Sequence, residues 1–113
     1  MSTQAEVDQF LKDFKIKLNV FGVVFLQRGK NFETLVTLEL TTVNRTEILN
    51  NLTVQDYYKG PTPDSGKVAD LWEFGIKLKQ KDIYIKITMG RMNSSVICIS
   101  FHIAERSIKH PFK

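Results

Sequence analysis

The chain holds few of the residues that staple or interrupt a fold. Cys98 is the only cysteine among 113 residues, so no intrachain disulfide exists and nothing favours an oxidising compartment. The histidines are two, His102 and His110, and with one cysteine they make no ligand cluster; no metal site and no cofactor are expected. No stretch approaches the roughly 18 apolar residues of a membrane span. The first residues, Met1 to Asp8, are polar and acidic, without the apolar core of a signal peptide. A cytoplasmic protein with no membrane partner is the expectation. A Gly-rich phosphate loop, a GxSxG elbow and an HExxH helix are all missing, which counts against several common enzyme classes.

What is present suits one packed domain spanning residues 1–113. Hydrophobic residues make up 42% of the chain and eight are phenylalanine, enough for a core of ordinary size. Sixteen Lys and Arg against twelve Asp and Glu leave a formal charge of +4, a mild bias toward anionic partners, with nucleic acid first among them.

Thr3 or Ser2 can cap a first helix, with Glu6 placed for a capping box and Val7, Phe10, Leu11 and Phe14 at helical spacing. From Lys15 the pattern alternates, and Phe21 to Leu26 is apolar except for Gly22. This predicts a long strand, bulged at the glycine, that turns at Arg28–Asn31 and returns over Phe32 to Leu40 with Val36, Leu38 and Leu40 inward. A short helix over Val43 to Leu52 follows, capped by Thr41 or Thr42, with Val43, Ile48, Leu49 and Leu52 sharing a face. Gly60-Pro-Thr-Pro-Asp-Ser-Gly66 reads as a loop.

The clearest pattern is C-terminal. Ile83, Ile85 and Ile87, and then Ile97, Ile99 and Phe101, alternate with mostly polar neighbours, the mark of half-buried strands. Asp70 to Lys77 makes a third strand with Trp72, Phe74 and Ile76 inward. Closing the 78–81 turn with Lys77 opposite Asp82 sets Trp72 against Ile87, Phe74 against Ile85, Glu73 against Lys86 and Gly75 against Tyr84. Closing the 90–94 loop with Met89 opposite Ser95 sets Tyr84 against Ser100 and Ile87 against Ile97. The result is an antiparallel sheet whose outer face carries Glu73, Lys77, Tyr84, Lys86, Ser100 and His102, with a dip at Gly75 where a ligand can approach. The tail from Ile103 to Lys113 shows no pattern.

The plain reading of such a face is solvated surface, with Tyr84 shielding a strand edge, Lys59 capping a helix end and Cys98 a small apolar filler. The sharper reading takes the residues as a set. RNA cleavage without a metal requires a base for the 2′-hydroxyl, an acid for the leaving 5′-oxygen and cations near the phosphate. Glu73 and His102 suit the acid and base, Tyr84 and His102 proton transfer, and Lys59 and Lys86 the phosphate, with Lys77 and Ser100 as further substrate contacts.

Four segments resemble the MqsR-type toxins of bacterial toxin–antitoxin systems: Leu52-Thr-Val-Gln-Asp-Tyr-Tyr-Lys59, Asp70-Leu-Trp-Glu73, Asp82-Ile-Tyr-Ile-Lys-Ile87 and Val96-Ile-Cys-Ile-Ser-Phe-His102. The resemblance covers about Leu38 to His102. It implies a RelE-like α+β fold, an antiparallel twisted sheet with two or three helices on one face, and a metal-independent endoribonuclease. It implies two partners, mRNA, free or on the ribosome, and an antitoxin protein with a helix-turn-helix domain. Lys59 and Tyr84 match residues linked to cleavage in that family. Glu73 stands where the family has glutamine and His102 where it has lysine. Two alternatives stand beside the enzyme: a non-catalytic RNA- or protein-binding module on the same fold, and a small structural protein using the sheet face as a dimer interface.

Overall fold

The computed structural model describes residues 1–27, 29–66 and 68–113. The expected capping box forms: Thr3 Oγ1 accepts from the Glu6 amide at 3.2 Å, and Glu6 Oε1 accepts from the Thr3 amide at 2.8 Å. The helix it starts, α1, runs over Gln4–Phe21 and buries Val7, Phe10, Leu11, Phe14 and Leu18.

The helix thus continues through the segment expected to be a strand from Lys15. Leu18 extends the buried stripe one turn beyond Phe14, whereas its alternating companions Ile16 and Val20 stay 65% and 67% exposed. The intervening polar residues reach backbone acceptors from a helix: Lys15 Nζ donates to the Leu52 carbonyl at 2.6 Å, and Lys17 Nζ to the carbonyls of Met89 and Arg91. Gly22 ends the helix at φ 82°, its amide donating to Leu18 O at 2.8 Å, so it is a helix terminator rather than a strand bulge.

Only Val23–Phe25 remains as strand β1, and the expected return strand is helix α2, Gly29–Leu38. Its buried positions are Asn31, Thr34 and Leu38, a helical spacing, while Val36 is exposed. No Lys15–Leu40 hairpin forms. Of the turn expected at 28–31, Arg28 lies outside the described residues and Gly29–Asn31 open α2.

Helix α3, Thr42–Asn50, starts at Thr41, whose side chain accepts from Asn44 N at 3.0 Å. Leu49, Leu52 and Arg45 are buried there, and Val43 is exposed rather than inward. After one 3-10 turn, Val54–Asp56, strand β2 takes Tyr57–Thr62, so Gly60 to Thr62 are strand where a loop was expected. Strands β3 (Leu71–Leu78), β4 (Lys81–Thr88) and β5 (Val96–Ile103) follow.

The fold is α+β. Its five-stranded sheet has the order β1-β5-β4-β3-β2 and is mixed rather than wholly antiparallel, because β1 lies parallel to β5. The β3–β4 register is the expected one at every pair, from Trp72 against Ile87 to Lys77 against Asp82. It is set by the two-residue turn Lys79–Gln80, both at positive φ, as a tight hairpin of this twist requires.

The β4–β5 register differs from expectation. Lys86 pairs with Ser100 but Ile87 pairs with Cys98, so Ile99 is an extra residue, a β-bulge. The bulge flips side-chain parity within β5. Val96 and Cys98 point into the core before it and Phe101 after it, and Tyr84 comes to face His102 rather than Ser100.

Beyond Cys98, no strand among the described residues pairs with the outer edge of β5. Helix α2 covers it: Asn31 Nδ2 donates to Ile99 O at 3.0 Å, Asn31 Oδ1 accepts from Phe101 N at 3.0 Å, and Thr34 Oγ1 accepts from Ile103 N at 3.0 Å. Two buried polar side chains thus replace the ladder partner that the backbone groups would otherwise lack.

The core lies between the helices and one face of the sheet. Phe10 stacks on Trp72 with centroids 4.3 Å apart, Tyr57 meets Phe74 edge-on, and Ile83, Ile85 and Ile87 are fully buried. The opposite face carries the polar residues.

Candidate functional site

Cross-strand register, more than chain order, builds the site. Lys59 on β2 pairs with Glu73 on β3, Glu73 with Lys86 on β4, and Lys86 with Ser100 on β5. Opposed residues point to the same face, so these four form a row across the outer surface. The next row is Gly75, Tyr84 and His102. Lys59, Glu73, Tyr84, Lys86, Ser100 and His102 all line one cavity of about 360 Å³. Lys77 does not. It lies further along β3, exposed, with its ammonium 3.7 Å from Asp82.

Glu73 is 7% exposed, and its carboxylate accepts from the Tyr84 hydroxyl at 2.5 Å. Burial, and then the bond given to that carboxylate, hold the Tyr84 phenol well above its ordinary range, so its proton stays on the ring oxygen. Among the described residues no lysine or arginine nitrogen comes within 4 Å of Glu73. The carboxylate is held by tyrosine and has cations at one remove.

His102 packs beside Tyr84, ring centroids 5.3 Å apart at 41°. Its Nδ1 lies 2.9 Å from the Ile103 carbonyl oxygen. A carbonyl only accepts, so Nδ1 carries a proton and Nε2 is the nitrogen free for chemistry. Lys86 Nζ stands 6.0 Å from the Tyr84 ring centroid, and Lys59 Nζ 5.1 Å from that of Tyr58. The face therefore combines a fixed carboxylate, an oriented imidazole and two cations beside aromatic rings.

The structure adds residues that the sequence pattern misses. Tyr58 lines the cavity from β2, and the tail supplies a wall through Glu105, Arg106 and Ile108. The dip expected at Gly75 is not open. A Cβ on Gly75 would lie 2.6 Å from Ile108 Cδ1, so the glycine makes room for the tail rather than for a ligand. The available signal was a lone isoleucine in a polar tail and a glycine in the middle of an apolar strand.

Among the described residues no three His, Cys, Asp or Glu side chains gather as a metal set, and no helix is long and apolar enough to cross a membrane. Comparison of the chain with family models, curated proteins and solved structures finds no match in any of the three.

Proposed function

We propose that this cavity is the active site of a metal-independent endoribonuclease that cuts mRNA in the cytoplasm, the toxin of a type II toxin–antitoxin pair with a RelE-like fold. The observation that carries the reading is the meeting of Lys59, Glu73, Tyr84, Lys86, Ser100 and His102 in one cavity, although they come from four strands. These positions include the two, Lys59 and Tyr84, that match the MqsR-type pattern.

Cleavage proceeds by attack of the ribose 2′-oxygen on the adjacent phosphorus. The O2′–P bond forms, the P–O5′ bond breaks, and the products are a 2′,3′-cyclic phosphate and a free 5′-hydroxyl. Glu73 takes the 2′-hydroxyl proton, and His102 Nε2, as imidazolium, gives a proton to the departing 5′-oxygen. Tyr84 holds Glu73 through its short bond and thereby acts as a positioning residue. Lys59 and Lys86 neutralise charge growing on the phosphate. The family's glutamine and lysine are thus replaced by a titratable pair with complementary roles.

The test incubates the purified protein with single-stranded RNA in chelator, alone and with ribosomes. Cleavage leaving cyclic phosphate ends is expected, reduced about 100-fold or more by Glu73→Gln or His102→Ala. Co-expression with a helix-turn-helix protein encoded beside it is expected to relieve growth arrest. RNA left intact in both settings sinks the enzyme; salt-sensitive binding without cleavage favours the non-catalytic module.

A further inference from the structure

The tail after β5 has no regular secondary structure, yet it is fixed to the body at several points. The Ala104 amide donates to Asp82 O at 2.8 Å, and Glu105 pairs with Lys30 of α2. Ile108 fills the space over Gly75, and the Phe112 ring stacks on Tyr57 at 5.4 Å and 21°. Between the first two anchors and the third stands Arg106. It is exposed and lines the same cavity as Lys86 and His102, and no carboxylate lies within 4 Å of it among the described residues.

An arginine with no carboxylate partner among the described residues, lining a cavity that also holds two lysines, is arranged for an anionic ligand. Its planar fork suits a phosphate better than a point charge does. The cavity volume of about 360 Å³ is near the small end for ligand sites, enough for one splayed nucleotide and too small for a duplex. We propose that Arg106 is a substrate-binding residue which grips a phosphate of single-stranded RNA, and that the Ile108–Gly75 contact is the anchor that presents it. This rests on the ribonuclease reading and adds a binding residue from a segment outside the sheet.

The experiment measures affinity for a short, uncleavable 2′-O-methyl oligonucleotide over a salt series. Each phosphate neutralised on a single strand contributes about 0.7 to the slope of log affinity against log salt. Arg106→Ala should flatten the slope by about that amount and weaken binding about tenfold at low salt. Arg106→Lys should keep most of the slope and lose part of the affinity. Gly75→Ala, which displaces Ile108 without touching the cavity cations, should reproduce the loss, and adding Arg106→Ala to it should change little more. Ile108→Ser releases the same anchor from the tail side and serves if Gly75→Ala does not fold. A slope unchanged by Arg106→Ala overturns the assignment of Arg106, and additive losses overturn the anchor. If the wild type does not bind the oligonucleotide, the ribonuclease reading falls and this inference with it.

Discussion

Tyr84 and His102 stand opposite each other on β4 and β5, ring centroids 5.3 Å apart, and without the bulge at Ile99 the pairing of Ile87 with Cys98 would set Phe101 there instead. A regular ladder closed at Met89 and Ser95 sets Ser100 against Tyr84. The 90–94 connection pairs Thr88 with Ile97 rather than Val96, a shift of one, and the bulge at Ile99 adds a second. Together they bring an imidazole beside the phenol that holds Glu73. The same bulge lets both Cys98 and Phe101 enter the core.

The Tyr84–Glu73 bond is the first point to test. Tyr84→Phe removes the one hydrogen-bond donor found among the described residues to a carboxylate that is 7% exposed. Urea unfolding should show a loss of about 1–3 kcal/mol. In a Glu73→Gln background the same substitution should cost clearly less, because no buried charge is left unpaired. Equal losses in both backgrounds would show that the pair is not coupled.

Asn31 should matter more than a surface-helix asparagine has reason to. It is 3% exposed and its amide group donates to Leu26 O and Ile99 O and accepts from Phe101 N. Asn31→Ala should cost about 3 kcal/mol, since one buried and two part-buried backbone groups lose their partner. Asn31→Asp should also destabilise, as a carboxylate cannot donate to the two carbonyls. Chemical denaturation of the three proteins measures both effects.

The extent of α1 can be checked by contrast. Ile16→Glu should change stability by less than about 0.5 kcal/mol, because Ile16 faces water. Leu18→Ala, two residues on, should cost about 2–5 kcal/mol because Leu18 is buried. A strand over this segment would put both side chains on one face and make both changes costly.

Cys98 gives a pH signature. Burial pushes its thiol up to about 12, only partly offset by the nearby Arg45. The unfolded thiol ionises near its ordinary value of about 8.5, so between there and about 12 the unfolded chain binds fewer protons than the folded one. Its contribution to stability is complete below that window and is lost as pH rises through it. Cys98→Ala should therefore show a shallower fall in unfolding free energy above about pH 9 than the wild type. Thiol labelling of the native protein should be slow at pH 8 and fast in urea.

Much of the site was legible because strands obey a period of two. The alternation around Ile83, Ile85 and Ile87 and the two-residue turn at Lys79–Gln80 specified the β3–β4 register. That register places Glu73 beside Lys86 and Gly75 beside Tyr84. The Thr3–Glu6 capping box was equally local, since a cap and its partner lie three residues apart. At the third helix the pattern offered Thr41 or Thr42 as cap and did not mark the Asn44 partner. Where the apolar pattern fits two periods, local rules fail. Ile16, Leu18 and Val20 alternate like a strand, yet Leu18 also continues the stripe of Phe14, and only packing against the core selected the helix.

The remaining features depend on residues far apart in the chain. Tertiary structure decided that Lys59 joins the row beside Glu73, that Asn31 and Thr34 cover the β5 edge, that Ile99 bulges, and that Ile108 lies on Gly75. By itself the sequence determined which residues face outward on β3 and β4, but not on β5, where Val96 and Cys98 rather than Ile97 and Ile99 are buried. Which of them meet, and what closes over them, was decided by pairing partners that no short-range pattern encodes.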